Sequence, residues 1–154
     1  MDIASILKPE AVRLAGRPTS KKRLFHEIAE CAAAAYGLNA SAVINALQER
    51  ESLGSTGVGR GVALPHARLD GPDRVLGAFL RLERPLPYAS VDGQPVDLVF
   101  ALFAPADAGV DHLKALALVS RTMRESAICS KLRANTDPAT LHAILTEARA
   151  TRAA

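Results

Sequence analysis

The sequence has no tryptophan, and aromatic residues make up only 4% of its 154 residues. The core must therefore be built mainly from aliphatic side chains, which are the other common residues of protein interiors. Hydrophobic residues form 49% and charged residues 23% of the chain, as in ordinary globular domains. This length suits one domain with one core. We expect that domain over residues 1–150, followed by a frayed tail at 151–154.

Cysteine is also scarce. Only Cys31 and Cys129 are present, and neither stands in a spacing typical of metal sites. Both fall in segments with a helical pattern, so we expect buried free thiols in a reducing compartment. The sequence shows no signal-like N-terminus and no apolar run long enough to cross a membrane. We therefore expect a soluble, cytoplasmic protein that needs no metal and no cofactor.

A long basic run is missing as well, and the formal net charge is only +3. The nearest cluster, Lys21-Lys22-Arg23, is too short to indicate nucleic-acid binding. It falls in the first turn of a predicted helix, where exposed cations oppose the helix dipole at about 0.3–1 kcal/mol each. This cluster is either a solvated face or a docking patch for an acidic partner, and both interpretations stay open.

Apolar residues at helical spacing predict six helices. We expect them at 2–7, at 21–36 between caps Ser20 and Gly37, from Asn39 or Ser41 to about 51, at 110–124, at 126–134, and after Asp137-Pro138. In the 110–124 helix the spacing predicts an inner face of Leu113, Leu116, Ala117, Ser120 and Met123.

Three apolar runs predict strands, at Val62–Leu64, Val75–Leu82 and Val96–Phe103. The last run is almost wholly apolar, which is typical of a central strand buried on both faces. The order of helices, then strands, then helices indicates an α/β fold. We expect a single-domain sandwich in which a small mixed sheet is flanked by helices on both sides.

One histidine follows a glycine-rich loop and a short apolar run, in Gly57-Val-Gly-Arg-Gly-Val-Ala-Leu-Pro65-His66. Because proline cannot extend a central ladder, the strand should stop at Pro65 and leave His66 at its end. A neutral imidazole has one free nitrogen that can attack an electrophile. The loop offers backbone donors for an anion at Ser55, Thr56, Gly57, Gly59 and Gly61. This pattern suggests phosphoryl chemistry on His66, although a structural turn histidine is the alternative.

Residues 49–68, ERESLGSTGVGRGVALPHAR, resemble the active-site segment of phosphotransferase-system enzyme IIA domains of the fructose/mannitol class. Further segments match in the family's order, namely SKKR at 20–23, PVDLVFAL at 95–102 and DHLKALALVSR at 111–121. Together they make the chain most similar to the nitrogen-regulatory branch of that family. The resemblance implies a small mixed sheet flanked by helices and a phosphohistidine intermediate.

The resemblance also implies roles for individual residues. His66 matches the family's phosphorylated histidine, modified on Nε2; His112 matches a second active-site histidine; and Arg50 matches an arginine placed against the phosphate. Thr56 and Gly57 offer a hydroxyl and a backbone donor to the same oxygens, unless they simply form a turn. No Gly-Lys-Ser/Thr follows the loop, so we expect no nucleotide.

The sequence departs from the family at two positions. Arg60 replaces a common asparagine and adds a cation that we expect near the site, where it tunes partner choice. Ala67 replaces a common glycine directly after the histidine and restricts the backbone there.

The implied function is that of a regulatory phosphocarrier, not a turnover enzyme. Its donor would be the nitrogen-type histidine-containing phosphocarrier protein, and its targets would be proteins such as potassium transporters or sensor kinases. A stand-alone sugar-specific IIA component that feeds a permease is the nearest alternative. A metal-dependent hydrolase using His66 and His112 with Asp111 or Asp70, and a binding module in which His66 is structural, are two others.

Overall fold

The computed structural model describes residues 1–153, with side chains described for 1–147. In this part of the chain the helices are α1 Ile3–Ile6, α2 Lys21–Tyr36, α3 Ala40–Ser52, α4 Val110–Met123, α5 Ser126–Arg133 and α6 Pro138–Ala153. The strands are β1 Val12–Ala15, β2 Gly57–Gly59, β3 Val62–Ala63, β4 His66–Leu69, β5 Leu76–Leu86 and β6 Val96–Pro105. The side chains of the predicted frayed tail at 151–154 lie outside the described residues, and its fraying stays a prediction.

The strands form one mixed sheet in the order β1-β5-β6-β3-β2, with β4 also paired to β6. Strands β3 and β4 run parallel to β6 along the same edge, Val62 opposite Leu98 and His66 opposite Leu102. Strand β5 runs antiparallel to β6 on its other edge. The predicted central position of β6 is confirmed, and this strand is buried along almost its whole length.

The helices form two groups about the sheet, which confirms the predicted α/β sandwich. Helix α2 packs on α3, while α4 and α6 contact each other and each also contacts α1 and α5. Both caps of α2 are as predicted: Ser20 Oγ accepts from the backbone N–H of Arg23, and Gly37 takes a left-handed φ of 71°. None of the helices in the described residues has the length and apolar character needed to cross a bilayer.

The predicted inner face of α4 is wrong at Leu113 and Ala117, whereas Met123 is buried as predicted and Leu116 is partly buried against the core. Leu113 is 66% exposed, whereas His112 is only 7% exposed. The residues that α4 buries are His112, Ala115, Leu118, Val119, Thr122 and Met123. Apolar residues are spread around this helix, so its spacing fits more than one face. His112 thus points inward, toward His66 on β4.

The short strands β1, β2 and β4 were not predicted. Strand β2 lies in the glycine-rich segment that was expected to be a loop, and it pairs antiparallel with β3. Strand β4 begins at His66, so this histidine stands at the start of a strand and not at the end of one. The break between β3 and β4 at Leu64 and Pro65 lets both strands follow β6 in the same direction.

Candidate functional site

The break between β3 and β4, at Leu64 and Pro65, fixes the position of His66. The carbonyl of Pro65 accepts from the backbone N–H of Leu102 at 3.0 Å, which fastens this point of the chain to β6. His66 Nδ1 lies 2.9 Å from the carbonyl oxygen of Leu64. A carbonyl oxygen can only accept, so this contact places the ring proton on Nδ1. The neutral ring then keeps its lone pair on Nε2, which is the arrangement a nucleophile needs.

The structure brings His112 beside His66. The two ring centroids are 5.6 Å apart and the rings meet edge to face at 73°. Neither ring nitrogen of His112 has a hydrogen-bond partner among the described residues, although the side chain is buried. Burial lowers the pKa of His112, and its electrostatic interactions with the nearby His66 and Arg68 side chains lower it further. His112 is therefore a neutral imidazole with an unused N–H donor.

Arg50 reaches the same place from the last turn of α3. Its Nη1 donates to the carbonyl of Gly54 at 2.9 Å, which leaves other guanidinium N–H groups unused by that contact. A cleft of about 450 Å³ is lined by Arg50, His66 and His112 together, with Glu49, Leu53 and Arg68. The three residues that the resemblance singled out thus line one cleft.

Arg68 is a cleft residue that sequence reasoning missed. It lies two positions after His66 on β4, so both side chains project from the same face of the strand. Ala67 and Leu69, which alternate with them along the strand, are buried. The alternation of polar and apolar residues from 66 to 69 is typical of a strand and could have indicated this position of Arg68, but no strand was predicted there.

Thr56 and Gly57 do not line this cleft, which corrects the expectation that they donate to the phosphate oxygens. The Thr56 hydroxyl donates to Glu51 Oε1 at 2.6 Å, and its backbone N–H donates to Glu51 Oε2 at 3.0 Å. The Gly57 N–H donates to Ser55 Oγ at 3.1 Å. Because these donors already have partners inside the protein, they are not available to an anion in the cleft.

The two departures from the family pattern also have defined positions. Arg60 lines a different cleft with Val58 and Arg124, so the expectation of an extra cation beside His66 is wrong. Its N–H donates to Asp92 Oδ2 at 2.9 Å in a left-handed conformation with φ of 58°. Ala67 lies in extended backbone on β4, where an alanine is unstrained.

The metal-dependent hydrolase hypothesis gains no support from the geometry. Across the residues that the structure describes, no three histidine, cysteine or acidic side chains are grouped so that they could hold a metal ion. Asp70 lines a separate cleft with Lys8 and Tyr36. Asp111 is exposed and does not line the His66 cleft.

The buried His112 predicts an acid-sensitive contribution to stability. Because its pKa is lowered in the folded state, the unfolded chain binds more protons as the pH falls through the ordinary histidine value of about 6.5. Stability should therefore decrease with falling pH in that range, and less so in a His112→Gln variant. Urea unfolding at about pH 7.5 and about pH 5.5 measures this. Equal losses in the two proteins would contradict it.

Comparison with known proteins points to one family. A family model described as phosphoenolpyruvate-dependent sugar phosphotransferase system, EIIA 2, matches residues 5–148. A nitrogen regulatory protein of Bradyrhizobium diazoefficiens is 46% identical over 153 residues, covering 99% of this chain and 100% of that protein. A fructose-specific EIIA component of Haloferax volcanii is 31% identical, covering 95% of this chain and 96% of that protein.

A solved structure agrees with these matches. The crystal structure of nitrogen regulatory protein IIA-Ntr from Neisseria meningitidis superposes with a TM-score of 0.86 at 36% identity, covering 94% of this chain and 99% of that one. Sequence and fold therefore agree over nearly the whole chain. The chain belongs to the EIIA 2 family of the phosphoenolpyruvate-dependent sugar phosphotransferase system, and it is a IIA-type phosphocarrier similar to nitrogen regulatory proteins.

Proposed function

We propose that this protein is a regulatory phosphocarrier that accepts a phosphoryl group on Nε2 of His66. The donor is the nitrogen-type histidine-containing phosphocarrier protein, in its phosphohistidine form. The phosphorylation state of His66 then controls target proteins such as potassium transporters or sensor kinases. Phosphorylation adds about −1.5 to −2 charges at the cleft, which changes the partners that bind there directly.

The observation that carries the proposal is the contact of His66 Nδ1 with the Leu64 carbonyl at 2.9 Å. It supports a ring whose Nε2 is unprotonated before any partner arrives. During transfer the P–N bond to the donor imidazole breaks as a new N–P bond forms at Nε2. No proton has to leave Nε2 for this step, so the site needs no separate general base.

The neighbours of His66 suit the charge that develops during transfer. In phosphoryl transfer the negative charge is spread over three equatorial oxygens, and catalysis is mostly positioning and electrostatic stabilisation. Arg50 offers a planar fork of N–H donors to those oxygens. The buried N–H of His112 is a second donor, 5.6 Å away between ring centroids. We assign these two residues to stabilising the transferring group.

The rim of the cleft supports a protein donor in place of a small molecule. Leu53 lines the cleft and is 82% exposed, while Val110 and Leu113, which are close to His112 in the sequence of α4, are 65% and 66% exposed. Exposed apolar side chains grouped around a polar site are typical of protein interaction surfaces. We propose that both the phosphoryl donor and the regulated targets cover this rim.

The regulatory role is preferred over a sugar-specific one because of the relatives. The Bradyrhizobium nitrogen regulatory protein shares 46% identity with this chain, and the Haloferax fructose-specific component shares 31%. The second candidate, a stand-alone sugar-specific IIA, keeps the same site and differs in its acceptor.

Phosphoryl flow separates the two candidates. The purified protein is first labelled through the nitrogen-type carrier and phosphoenolpyruvate, and then mixed with a purified fructose permease. We expect rapid labelling by the nitrogen-type carrier, slower labelling by the sugar-type carrier, and no transfer to the permease. Fast, saturable transfer to the permease would overturn the regulatory assignment and favour the sugar-specific one.

A further inference from the structure

A second polar cluster lies outside the cleft. It is formed by Lys21, Glu51, Thr56 and Tyr88, and we call it the Glu51 cluster. The Glu51 carboxylate accepts from Lys21 Nζ at 2.9 Å, from the Thr56 N–H at 3.0 Å and from the Thr56 hydroxyl at 2.6 Å. The Tyr88 hydroxyl lies 2.9 Å from Thr56 Oγ1. The ammonium of Lys21 also sits 4.1 Å from the centre of the Tyr88 ring.

The Glu51 carboxylate in this cluster is buried and ionised, whereas Lys21 is half-buried at its edge. The Glu51 side chain is only 7% exposed. Burial raises the pKa of Glu51, but the hydrogen bonds from Thr56 and Lys21 outweigh it and hold the pKa below its ordinary range. A buried carboxylate with several charge-assisted donors has one favoured arrangement, because each lost donor leaves a buried charge unsatisfied. The hydrogen bonds of the cluster therefore hold α2, α3 and the segment after α3 in one arrangement.

Hydrogen bonds connect the Glu51 cluster to Arg50. Glu51 directly follows Arg50 on α3, and the backbone carbonyl of Glu51 accepts from the N–H of Gly54 at 3.2 Å. The carbonyl of Gly54 in turn holds the guanidinium of Arg50 at 2.9 Å. The segment from 53 to 57 is thus held at two points, by the hydrogen bond of Gly54 with Arg50 and by the hydrogen bonds of Thr56 with Glu51.

A second route leads to His66. The carbonyl of Thr56 accepts from the backbone N–H of Leu64 at 2.9 Å. The carbonyl of Leu64 is the group that holds Nδ1 of His66. Thr56 therefore links the Glu51 carboxylate to the residue that fixes the orientation and the protonated nitrogen of the His66 ring.

We infer that Glu51 is a positioning residue, which acts through Thr56 and the segment from 53 to 57 to hold Arg50 and His66 in their places around one cleft. This inference rests on the proposed function of His66. It gives a role to Thr56, which was expected to bind phosphate, and to Lys21, which seemed misplaced at the start of α2. Neither Glu51 nor Thr56 touches the transferred group in this account, because both lie outside the cleft.

Two substitutions test the inference. Thr56→Val keeps the side-chain shape and removes the hydroxyl, while Glu51→Gln keeps the shape and removes the charge. We expect each to slow phosphoryl transfer at saturating donor roughly 10- to 100-fold, since small misplacements of catalytic groups have effects of that size. The KM for the donor should stay within about twofold, because the binding rim is untouched.

Matched controls distinguish positioning from general damage. Thr56→Ser retains a hydroxyl and should restore most of the rate. Ser52→Ala removes an exposed hydroxyl from the same turn of α3, where it bonds only the Glu49 carbonyl, and should leave the rate unchanged. Thermal unfolding of every variant shows whether it is folded at the assay temperature.

A spectroscopic readout is taken on unphosphorylated protein. Ring ¹⁵N signals report the protonated nitrogen of His66, and the Nε–H signal reports the surroundings of Arg50. In Thr56→Val and Glu51→Gln these signals should shift, and in Thr56→Ser they should match wild type. Rates within twofold of wild type, or slow rates with unshifted signals, would overturn the inference. If wild type takes up no phosphate, the proposed function fails, and these signals still decide whether the cluster positions His66.

Discussion

Replacement of His66 by alanine is expected to abolish phosphoryl uptake by this protein. The transferred group needs a nitrogen lone pair, and the Nδ1 contact to Leu64 leaves that lone pair on Nε2 of this ring. His112 is the nearest other imidazole, but it is 7% exposed and is less accessible to a protein donor. Alanine removes the nucleophile, so the expected effect is complete loss of labelling.

The measurement is incorporation of radiolabelled phosphate from phosphoenolpyruvate through the carrier proteins. His26→Ala is the matched control, since His26 lies on α2, away from the cleft, and should label like wild type. Circular dichroism confirms that both variants remain folded. Labelling of His66→Ala at the wild-type level would remove this residue from the mechanism and leave His66 as a structural histidine.

Loss of the Arg50 guanidinium should have the second-largest effect. We expect Arg50→Ala to slow phosphoryl transfer to His66 roughly 100- to 1,000-fold, which is typical when a donor aimed at the developing charge is removed. Arg50→Lys should recover only part of this rate, because an ammonium supplies the charge without the planar fork. Arg68 also lines the cleft, but we do not expect it to replace Arg50, because it projects from β4 and not from α3.

Rapid-quench measurement of a single transfer gives the rate directly, without the later steps. Arg124→Ala is a suitable control, since Arg124 lines a different cleft with Arg60. We expect this variant to transfer at the wild-type rate. A rate for Arg50→Ala within threefold of wild type would show that the guanidinium does not stabilise the transferring group.

The long helices and the central strand could be predicted because their signals are local. Ser20 and Gly37 mark the two ends of α2 by side-chain and backbone chemistry that depends on few neighbours. The continuous apolar run of β6 indicates burial on both faces wherever it is placed in the sheet. These features depend on short stretches of sequence, and the structure shows them as predicted.

The short strands could not be predicted because their pairing partners lie far along the chain. Strand β4 has four residues, and it is a strand only because β6 lies beside it. Strand β2 lies in a segment with two glycines that is typical of a turn. In both cases tertiary pairing decided the conformation, and local pattern did not.

The candidate site was predicted in part. His66 came from the local sequence pattern and from a family resemblance, Arg50 and His112 came from the resemblance, and the fold brings all three to one cleft. Thr56 was misassigned because its hydroxyl looked free in the sequence. Its partner, Glu51, lies on the preceding helix and is buried together with Tyr88, so only the folded structure reveals that the hydroxyl is already used.

The decisive measurement is the location of the phosphate on the chain. The protein is incubated with phosphoenolpyruvate, the first enzyme of the cascade and the nitrogen-type carrier, and is then digested under alkaline conditions. Tandem mass spectrometry of the peptides, supported by ³¹P–¹⁵N correlation on the intact protein, identifies the modified atom. We expect one acid-labile phosphate, bound to Nε2 of His66. Phosphate on His112, on any other side chain, or on Nδ1 of His66 would contradict this expectation.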